Sequence, residues 1–147
     1  MYKTENPPKK RVLRSSEERK MTDVVAALIF DGGRFLICKR PENKKRGGMW
    51  EFAGGKTEPG ETGEEALRRE CMEELDIDIW VGEKLMTVVH EYTDVTIRLS
   101  LYRCGIVSGK PTLKEHTEMR WITSAETDLF EFCPADADIL KTIKERF

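Results

Sequence analysis

The chain has 147 residues, of which 39% are apolar and 35% charged, and its formal net charge is −2. This length and balance predict one globular domain that buries a core, and the small negative charge argues against an overall polyanion-binding surface. We expect a cytoplasmic protein without a membrane partner: no apolar run approaches the ~18 residues of a membrane span, no secretory signal is apparent, and the 4 scattered cysteines suit reduced thiols rather than a zinc site.

The first 20 residues form a basic extension that differs from the rest of the chain. They hold seven Lys and Arg against three Glu, so this segment carries +4 and residues 21–147 carry −6. The run Pro7 to Arg11 resembles a nucleic-acid or nuclear-import patch, but a solvated terminal extension is the interpretation we favour. We therefore predict an extension over residues 1–20, a folded domain over residues 21–147 and no stable nucleic-acid partner.

Two strands joined by a tight turn are predicted at the start of this domain. Thr22 to Phe30 is β-branched and apolar, which indicates a buried strand. Asp31-Gly32-Gly33 is a hairpin signal, and Arg34 to Lys39 alternates into a second strand. A polar loop over 41–48 then leads to a short apolar segment, Met49 to Ala53.

The next stretch, from Gly54 to Ile77, begins as a glycine-rich segment and continues as a helix. Its glycines and Pro59 predict an irregular loop. Thr62 is the predicted N-cap of the helix, with Glu65 three residues later as its capping-box partner. An apolar stripe can seat the helix on a core: Leu67, Cys71 and Leu75.

The remaining chain is rich in strands and closes with a helix. Ile77, Ile79 and Val81 alternate until Gly82 breaks the pattern. Three strands, a helical turn and a closing amphipathic helix follow, over residues 85–92, 95–106, 119–122, 124–127 and 135–147. Because the strands are mostly joined by hairpins, with one helix central and one terminal, the sequence predicts an α/β (α+β) sandwich with a mixed sheet.

Three carboxylates share one face of the central helix. Glu70, Glu73 and Glu74 stand at i, i+3 and i+4, and like charges ~4 Å apart repel by about 4 kcal/mol at an effective dielectric of 20. Arg69 relieves Glu73 by only about 0.2–0.5 kcal/mol. A hard divalent cation such as Mg²⁺, which takes oxygen ligands, relieves far more. The alternative is an ordinary solvated acidic face.

The residues before and after these acids favour the metal-binding interpretation, because the whole stretch follows one long pattern. Gly-x5-Glu-x7-Arg-Glu-U-x-Glu-Glu-x-Gly-U, with U apolar, is met at Gly55, Glu61, Arg69, Glu70, Cys71, Glu73, Glu74 and Ile77. This stretch resembles the signature of the Nudix hydrolases. Asp76 stands where the family has Gly at the helix exit, and Asp tolerates the left-handed conformation better than most residues. We therefore expect a small stability cost and intact chemistry.

Further segments resemble the MutT-type branch of this family. They are Lys39-Arg40-Pro41, the run Trp50 to Lys56, and Cys133-Pro134-Ala135-Asp136. The resemblance implies a mixed sheet between helices and Mg²⁺-dependent hydrolysis of nucleoside triphosphates to monophosphate and pyrophosphate, with Mn²⁺ as the alternative ion. Oxidised nucleotides such as 8-oxo-dGTP are the first candidate substrates, and CTP, dCTP or modified pyrimidine nucleotides are the second.

The resemblance also implies roles for individual residues. Metal ligands are expected at the Gly55 carbonyl and at four acids, Glu70, Glu73, Glu74 and Glu115. Glu70 is alternatively a water-orienting base, Glu115 is alternatively a base or an ordinary exposed loop acid, and Arg69 orients the carboxylates. Three residues are candidates for substrate binding: Arg40 for a phosphate, Phe52 for the base or ribose, and Asp136 for the base. Each has a structural alternative, respectively a surface arginine, a core side chain and a helix cap.

The expected base follows from Asp136. An ionised carboxylate only accepts hydrogen bonds, so it favours the N–H-rich edges of guanine, 8-oxoguanine or cytosine and disfavours thymine and uracil. Two other functions stay open: a dinucleoside-polyphosphate hydrolase, since such enzymes carry a Tyr near the position of Tyr92, and a nucleotide-binding domain without catalysis. We expect a monomer or a homodimer.

Overall fold

The computed structural model describes residues 21–147, so the basic extension over residues 1–20 lies outside the described part of the chain. The strands are β1 (Thr22–Asp31), β2 (Arg34–Lys39), β3 (Trp50–Glu51), β4 (Ala53–Lys56), β5 (Asp78–Glu91), β6 (Thr96–Ser108) and β7 (Glu118–Ile122). The α-helices are α1 (Gly63–Leu75) and α2 (Ala137–Arg146), and two short 3₁₀ segments span Ser124–Leu129 and Pro134–Asp136. The strands form one mixed sheet in the order β3-β2-β1-β6-β5, with β4 paired to β1 and β7 paired to β2.

Strand β1 lies at the centre of this sheet and has apolar residues on both faces. It runs parallel to β6 and antiparallel to β2 and β4. Val25, Ala27 and Ile29 pack in the same core cluster as the apolar stripe of α1. Ala26 and Leu28 pack with Ile139 and Ile143 of α2. A strand buried on both faces reads as a continuous apolar run, and the predicted sandwich with a mixed sheet between helices is confirmed.

Helix α1 begins and ends at the residues that the sequence predicts. The Thr62 hydroxyl accepts from the Glu65 amide at 3.1 Å, and the Glu65 carboxylate accepts from the Thr62 amide at 2.9 Å. The helix ends at Asp76, whose φ of 59° and ψ of 41° are left-handed. The Asp in place of the family's Gly therefore adopts the conformation expected of that position. Leu67, Cys71 and Leu75 are each buried.

Two local predictions are wrong. Gly54 and Gly55 do not lie in a loop but in β4, because the first half of β1 offers their backbone an antiparallel partner at Ala26 and Val25. Gly82 does not end a strand either. Strand β5 continues through it as a single 14-residue strand, with register shifts between Val81 and Lys84 that absorb the irregularity as a bulge.

The closing segment starts differently from the prediction over 135–147. Pro134–Asp136 forms a 3₁₀ turn, and the α-helix begins only at Ala137. All four cysteines are free and buried, as expected of reduced thiols. Within residues 21–147, none of the helices has both the length and the apolar character to cross a membrane. The boundary at residue 21, the cytoplasmic location and the oligomeric state stay predictions.

Candidate active site

A cavity of about 710 Å³ opens where β4, α1 and the loops around them meet. It brings together residues that are far apart in the sequence. The predicted site residues that line it are Arg40, Phe52, Gly55, Glu70, Glu74, Glu115 and Asp136. Arg69 and Glu73 are not among the lining residues, although both contact Glu70 or its neighbours on α1.

One end of the cavity is acidic and depends on a close approach of β4 to α1. A Cβ atom on Gly55 would lie 2.5 Å from the carboxyl carbon of Glu70, so only glycine fits at this position without a shift of Glu70. The amide of Gly54 donates to the Glu74 carboxylate at 3.2 Å. The two glycines therefore let the strand pass directly against both acids.

Glu70 and Glu74 are held together in a way that disfavours their charges. Glu74 is buried, and burial raises its pKa, with the neighbouring charge of Glu70 raising it further. Burial also raises the pKa of Glu70, although the hydrogen bond from Arg69 acts in the opposite direction. The fold thus places two acids where a proton or a cation is needed to offset their repulsion.

Arg69 ties this acidic face to the preceding loop. Its guanidinium donates to both oxygens of Glu61, at 2.6 and 2.9 Å, and to the Lys56 carbonyl at 3.0 Å. It also donates to Glu70 at 3.0 Å and to Glu73 at 3.4 Å. Arg69 therefore orients the carboxylates from outside the cavity, and the bidentate pair lowers the pKa of Glu61 to about 2.

The donor set at this end consists of oxygen atoms, which hard divalent cations prefer. From residue 21 onward, no three His, Cys, Asp or Glu side chains already surround a common metal position. Arg69 holds Glu70 and Glu73, while the Gly54 amide holds Glu74. The residues fit a cation in type and proximity, because the Arg69 bonds use one carboxylate oxygen each of Glu70 and Glu73 and leave the other for a cation.

Asp136 lies at another part of the cavity wall and is almost fully buried. Its Oδ2 atom has no hydrogen-bond partner among the described residues, and the side chain makes no capping hydrogen bond to α2. Asp136 does occupy the N-cap position of α2 and lies in the first turn of the 3₁₀ segment Pro134–Asp136, so the helix-cap alternative holds for its position but not through a side-chain bond. Burial raises the pKa of Asp136 well above its ordinary value, and the charge of Glu51 raises it further. Burial therefore disfavours the ionised form of this acid, and the expected base contact from an ionised Asp136 stays a prediction.

The other two substrate-binding candidates are already engaged. Arg40 donates to Glu51 at 3.0 Å and to the Lys45 carbonyl at 2.9 Å, so its guanidinium braces the loop over 41–48. Phe52 is 4% exposed and stacks on Phe132 with ring centroids 5.7 Å apart. Phe52 therefore belongs to the core and at the same time forms part of the cavity wall.

Several cavity residues were missed or undervalued in the sequence. Glu51 lies between two buried aromatic residues of the segment over 50–52, and strand alternation was the signal that it faces the other way. His116 also lines the cavity, and it belongs to no motif in the sequence. The Tyr92 hydroxyl accepts from the Ala135 amide at 2.9 Å, and the Arg46 guanidinium lies 3.9 Å above the Tyr92 ring. These contacts join distant segments, so no local pattern could reveal them.

Comparison with known proteins places this architecture in one family. A family model described as the NUDIX domain matches residues 24–142. The chain is 37% identical over 122 residues to the CTP pyrophosphohydrolase of Escherichia coli (strain K12). The aligned residues cover 83% of this chain and 90% of that relative. It is 34% identical over 127 residues to the putative 8-oxo-dGTP diphosphatase 2 of Mycobacterium tuberculosis (strain H37Rv), and this alignment covers 82% of this chain and 89% of that relative.

Solved structures agree with the sequence relatives. The solution structure of the E. coli ORF135 protein superposes with a TM-score of 0.78 at 34% identity, covering 91% of this chain and 94% of that one. The crystal structure of the MutT protein from Methanosarcina mazei Go1 superposes with a TM-score of 0.77 at 27% identity, and the superposition covers 85% of this chain and 94% of that one. Nudix hydrolases generally need divalent cations, in keeping with the oxygen-rich end of the cavity. The chain belongs to the Nudix hydrolase family.

Proposed function

We propose that this protein hydrolyses nucleoside triphosphates to monophosphate and pyrophosphate with Mg²⁺, with Mn²⁺ as the alternative ion, and that 8-oxo-dGTP is its preferred substrate. The observation that carries this proposal is the buried pair Glu70 and Glu74, pressed against Gly55 at one end of a cavity that also contains Asp136. A triphosphate spans such a cavity, with its charged end toward a bound cation and its base toward a buried acid.

The acidic end supplies the chemistry of phosphoanhydride cleavage. Glu73, Glu74, Glu70, Glu115 and the Gly55 carbonyl are the ligand set we propose. When bound, a divalent cation offsets the charge of the phosphates and lowers the pKa of a water nucleophile. Glu70 or Glu115 then accepts the proton of the attacking water, and Arg69 fixes the carboxylate orientations from outside the cavity.

The base end supplies selectivity. A neutral Asp136 offers one O–H donor and one acceptor, whereas the ionised form only accepts. Guanine-type bases present N1–H beside N2–H₂, and such a donor pair stabilises the ionised form inside the cavity. Arg40 lies close enough to lower the pKa of Asp136, which helps the carboxylate ionise once a base is bound. Phe52 forms the neighbouring apolar wall, where it contacts the base or ribose.

A cytidine nucleotide is the second candidate. One relative is named a CTP pyrophosphohydrolase, and the N4 amino group of cytosine also donates to a carboxylate. The neutral form of Asp136 pairs with cytosine as well, because it can donate to N3 and accept from N4–H₂. Asp136 alone therefore permits both bases, and the rank between them is a matter for measurement.

The direct test is a substrate panel with Mg²⁺ and, separately, Mn²⁺. It contains 8-oxo-dGTP, dGTP, CTP, dCTP, 5-methyl-dCTP, dTTP and a dinucleoside tetraphosphate, with pyrophosphate and phosphate quantified separately. We expect pyrophosphate release with the highest kcat/KM for 8-oxo-dGTP. A preference for CTP selects the second candidate, and cleavage of only the dinucleoside compound, or nucleotide binding without turnover, refutes the proposal.

A further inference from the structure

The segment between β6 and β7 carries one buried side chain among exposed ones. Residues 112–115 and Thr117 are exposed, whereas His116 is buried. This segment crosses the end of α1, where the Lys114 amide donates to the Glu74 carbonyl at 3.2 Å. It then reaches β2, where the Thr117 amide donates to the Lys39 carbonyl at 3.0 Å. The Thr117 hydroxyl also lies 3.5 Å from the Lys39 carbonyl, but His116 is the buried side chain of residues 112–117 and so anchors the segment to the interior.

The anchor is a hydrogen bond across the cavity wall. His116 Nε2 lies 2.9 Å from the carboxylate of Glu51, 65 residues away in the sequence. A carboxylate that is hydrogen-bonded in this way accepts, so Nε2 carries the proton and donates. Glu51 in turn accepts from Arg40 through its second oxygen at 3.0 Å, and Arg40 holds the Lys45 carbonyl. A continuous chain of polar contacts thus joins two walls of the cavity.

We propose that His116 is a positioning residue of the active site: through Glu51 it fixes the segment that carries Glu115 and, through Arg40, the loop over 41–48. This inference rests on the proposed function for its effect on turnover. The segment and the loop both contribute cavity-lining residues, so losing the bond loosens both walls at once. In this role His116 acts through Glu51, which accepts from Nε2, rather than through a contact of its own with substrate or metal.

The prediction separates kcat from binding. Without the bond, Glu115 samples orientations away from the acidic end, so fewer bound substrate molecules meet a complete set of carboxylates. We expect His116→Leu to lower kcat by about 10- to 100-fold, the range expected for a lost hydrogen bond to a charged group, with KM changed less than about 3-fold. His116→Gln keeps an N–H donor at nearly the same reach and should restore kcat to within about 5-fold of the wild type.

A second readout does not depend on any substrate. Amide hydrogen exchange of Lys114 and Thr117, which flank the anchor, should become about 10-fold faster or more in His116→Leu and stay near wild type in His116→Gln. Thr127→Val is the matched control: Thr127 is buried and its hydroxyl donates to the Ser124 carbonyl at 3.0 Å, away from the cavity. It should lower stability with kcat and the Lys114 and Thr117 exchange unchanged.

The outcomes are distinct. Faster exchange and lower kcat in His116→Leu, both rescued by His116→Gln, support the inference. Unchanged exchange overturns it, and so does faster exchange with unchanged kcat, because His116 would then be structural only. If the wild type hydrolyses no nucleoside triphosphate, the proposed function fails by itself, while the exchange measurements still decide whether His116 anchors the segment.

Discussion

Replacing Asp136 with asparagine should change how the stability of the fold depends on pH. The side chain is 5% exposed and its pKa is raised well above the ordinary value, whereas in the unfolded chain its pKa is about 3.9. Between these two pKa values the folded chain binds one proton more than the unfolded chain, so stability falls as pH rises. The slope for one proton is about 1.4 kcal/mol per pH unit.

Asparagine has nearly the same shape and binds no proton, so this contribution disappears in the variant. We expect Asp136→Asn to match the wild type near pH 4 and to gain stability over it as pH rises, by at most about 2.7 kcal/mol between pH 5 and pH 7. The other raised pKa values, including that of Glu74, act equally in both proteins and cancel in the difference.

Urea unfolding at pH 5, 6 and 7 measures this difference directly. Asp138→Asn is the matched control, because Asp138 lies two residues away and is exposed; its difference from the wild type should not follow pH in this way. If the free energy of unfolding depends on pH in the same way for Asp136→Asn and the wild type, the argument is refuted, because Asp136 would then have the same protonation in the folded and unfolded chains.

Three further results are expected. Glu73→Gln removes the charge of a proposed ligand from an exposed helix face and should lower kcat by at least ~100-fold with the fold intact; near-normal Mg²⁺-dependent turnover would contradict the assignment. Glu74→Gln removes a buried acid with a raised pKa, so it should raise the melting temperature at pH 8 while abolishing turnover. A lower melting temperature would contradict the inferred repulsion between Glu70 and Glu74. Deleting residues 1–20 should leave kcat/KM within a few-fold in steady-state assays; a larger loss, or a change in mass by light scattering, would give the basic extension a structural role.

The parts of the fold that could be predicted are those decided by neighbouring residues. The capping box of Thr62 and Glu65, the left-handed exit at Asp76 and the hairpin after β1 each depend on a few adjacent side chains. The acidic face is also local, because helical spacing alone brings Glu70 and Glu74 together. The long pattern that contains these acids was specific enough to indicate the family.

The parts that could not be predicted depend on contacts between distant segments. Gly54 looks like a loop residue until β1 is known to offer its backbone a partner. Glu51 and His116 each look unremarkable until the fold brings them within 2.9 Å. Burial raises the pKa of Asp136, and burial is a property of the whole fold rather than of the residues beside it in the sequence.

Glu74 and Asp136 both line the cavity, and burial disfavours the ionised form of each. In the proposed function, substrate binding relieves both acids. As a proposed metal ligand, Glu74 must be deprotonated to bind a cation, and in the proposed base contact a donor-rich base favours ionised Asp136. Cation and nucleotide together should therefore release protons on binding, and their apparent affinity should rise with pH up to the raised pKa values. Because the two acids line the same cavity, a substrate that spans it can combine both gains. A cation alone relieves only Glu74, and a nucleoside alone relieves only Asp136. The free energy of binding should therefore be more favourable for the cation-bound triphosphate than for the cation or the nucleoside by itself.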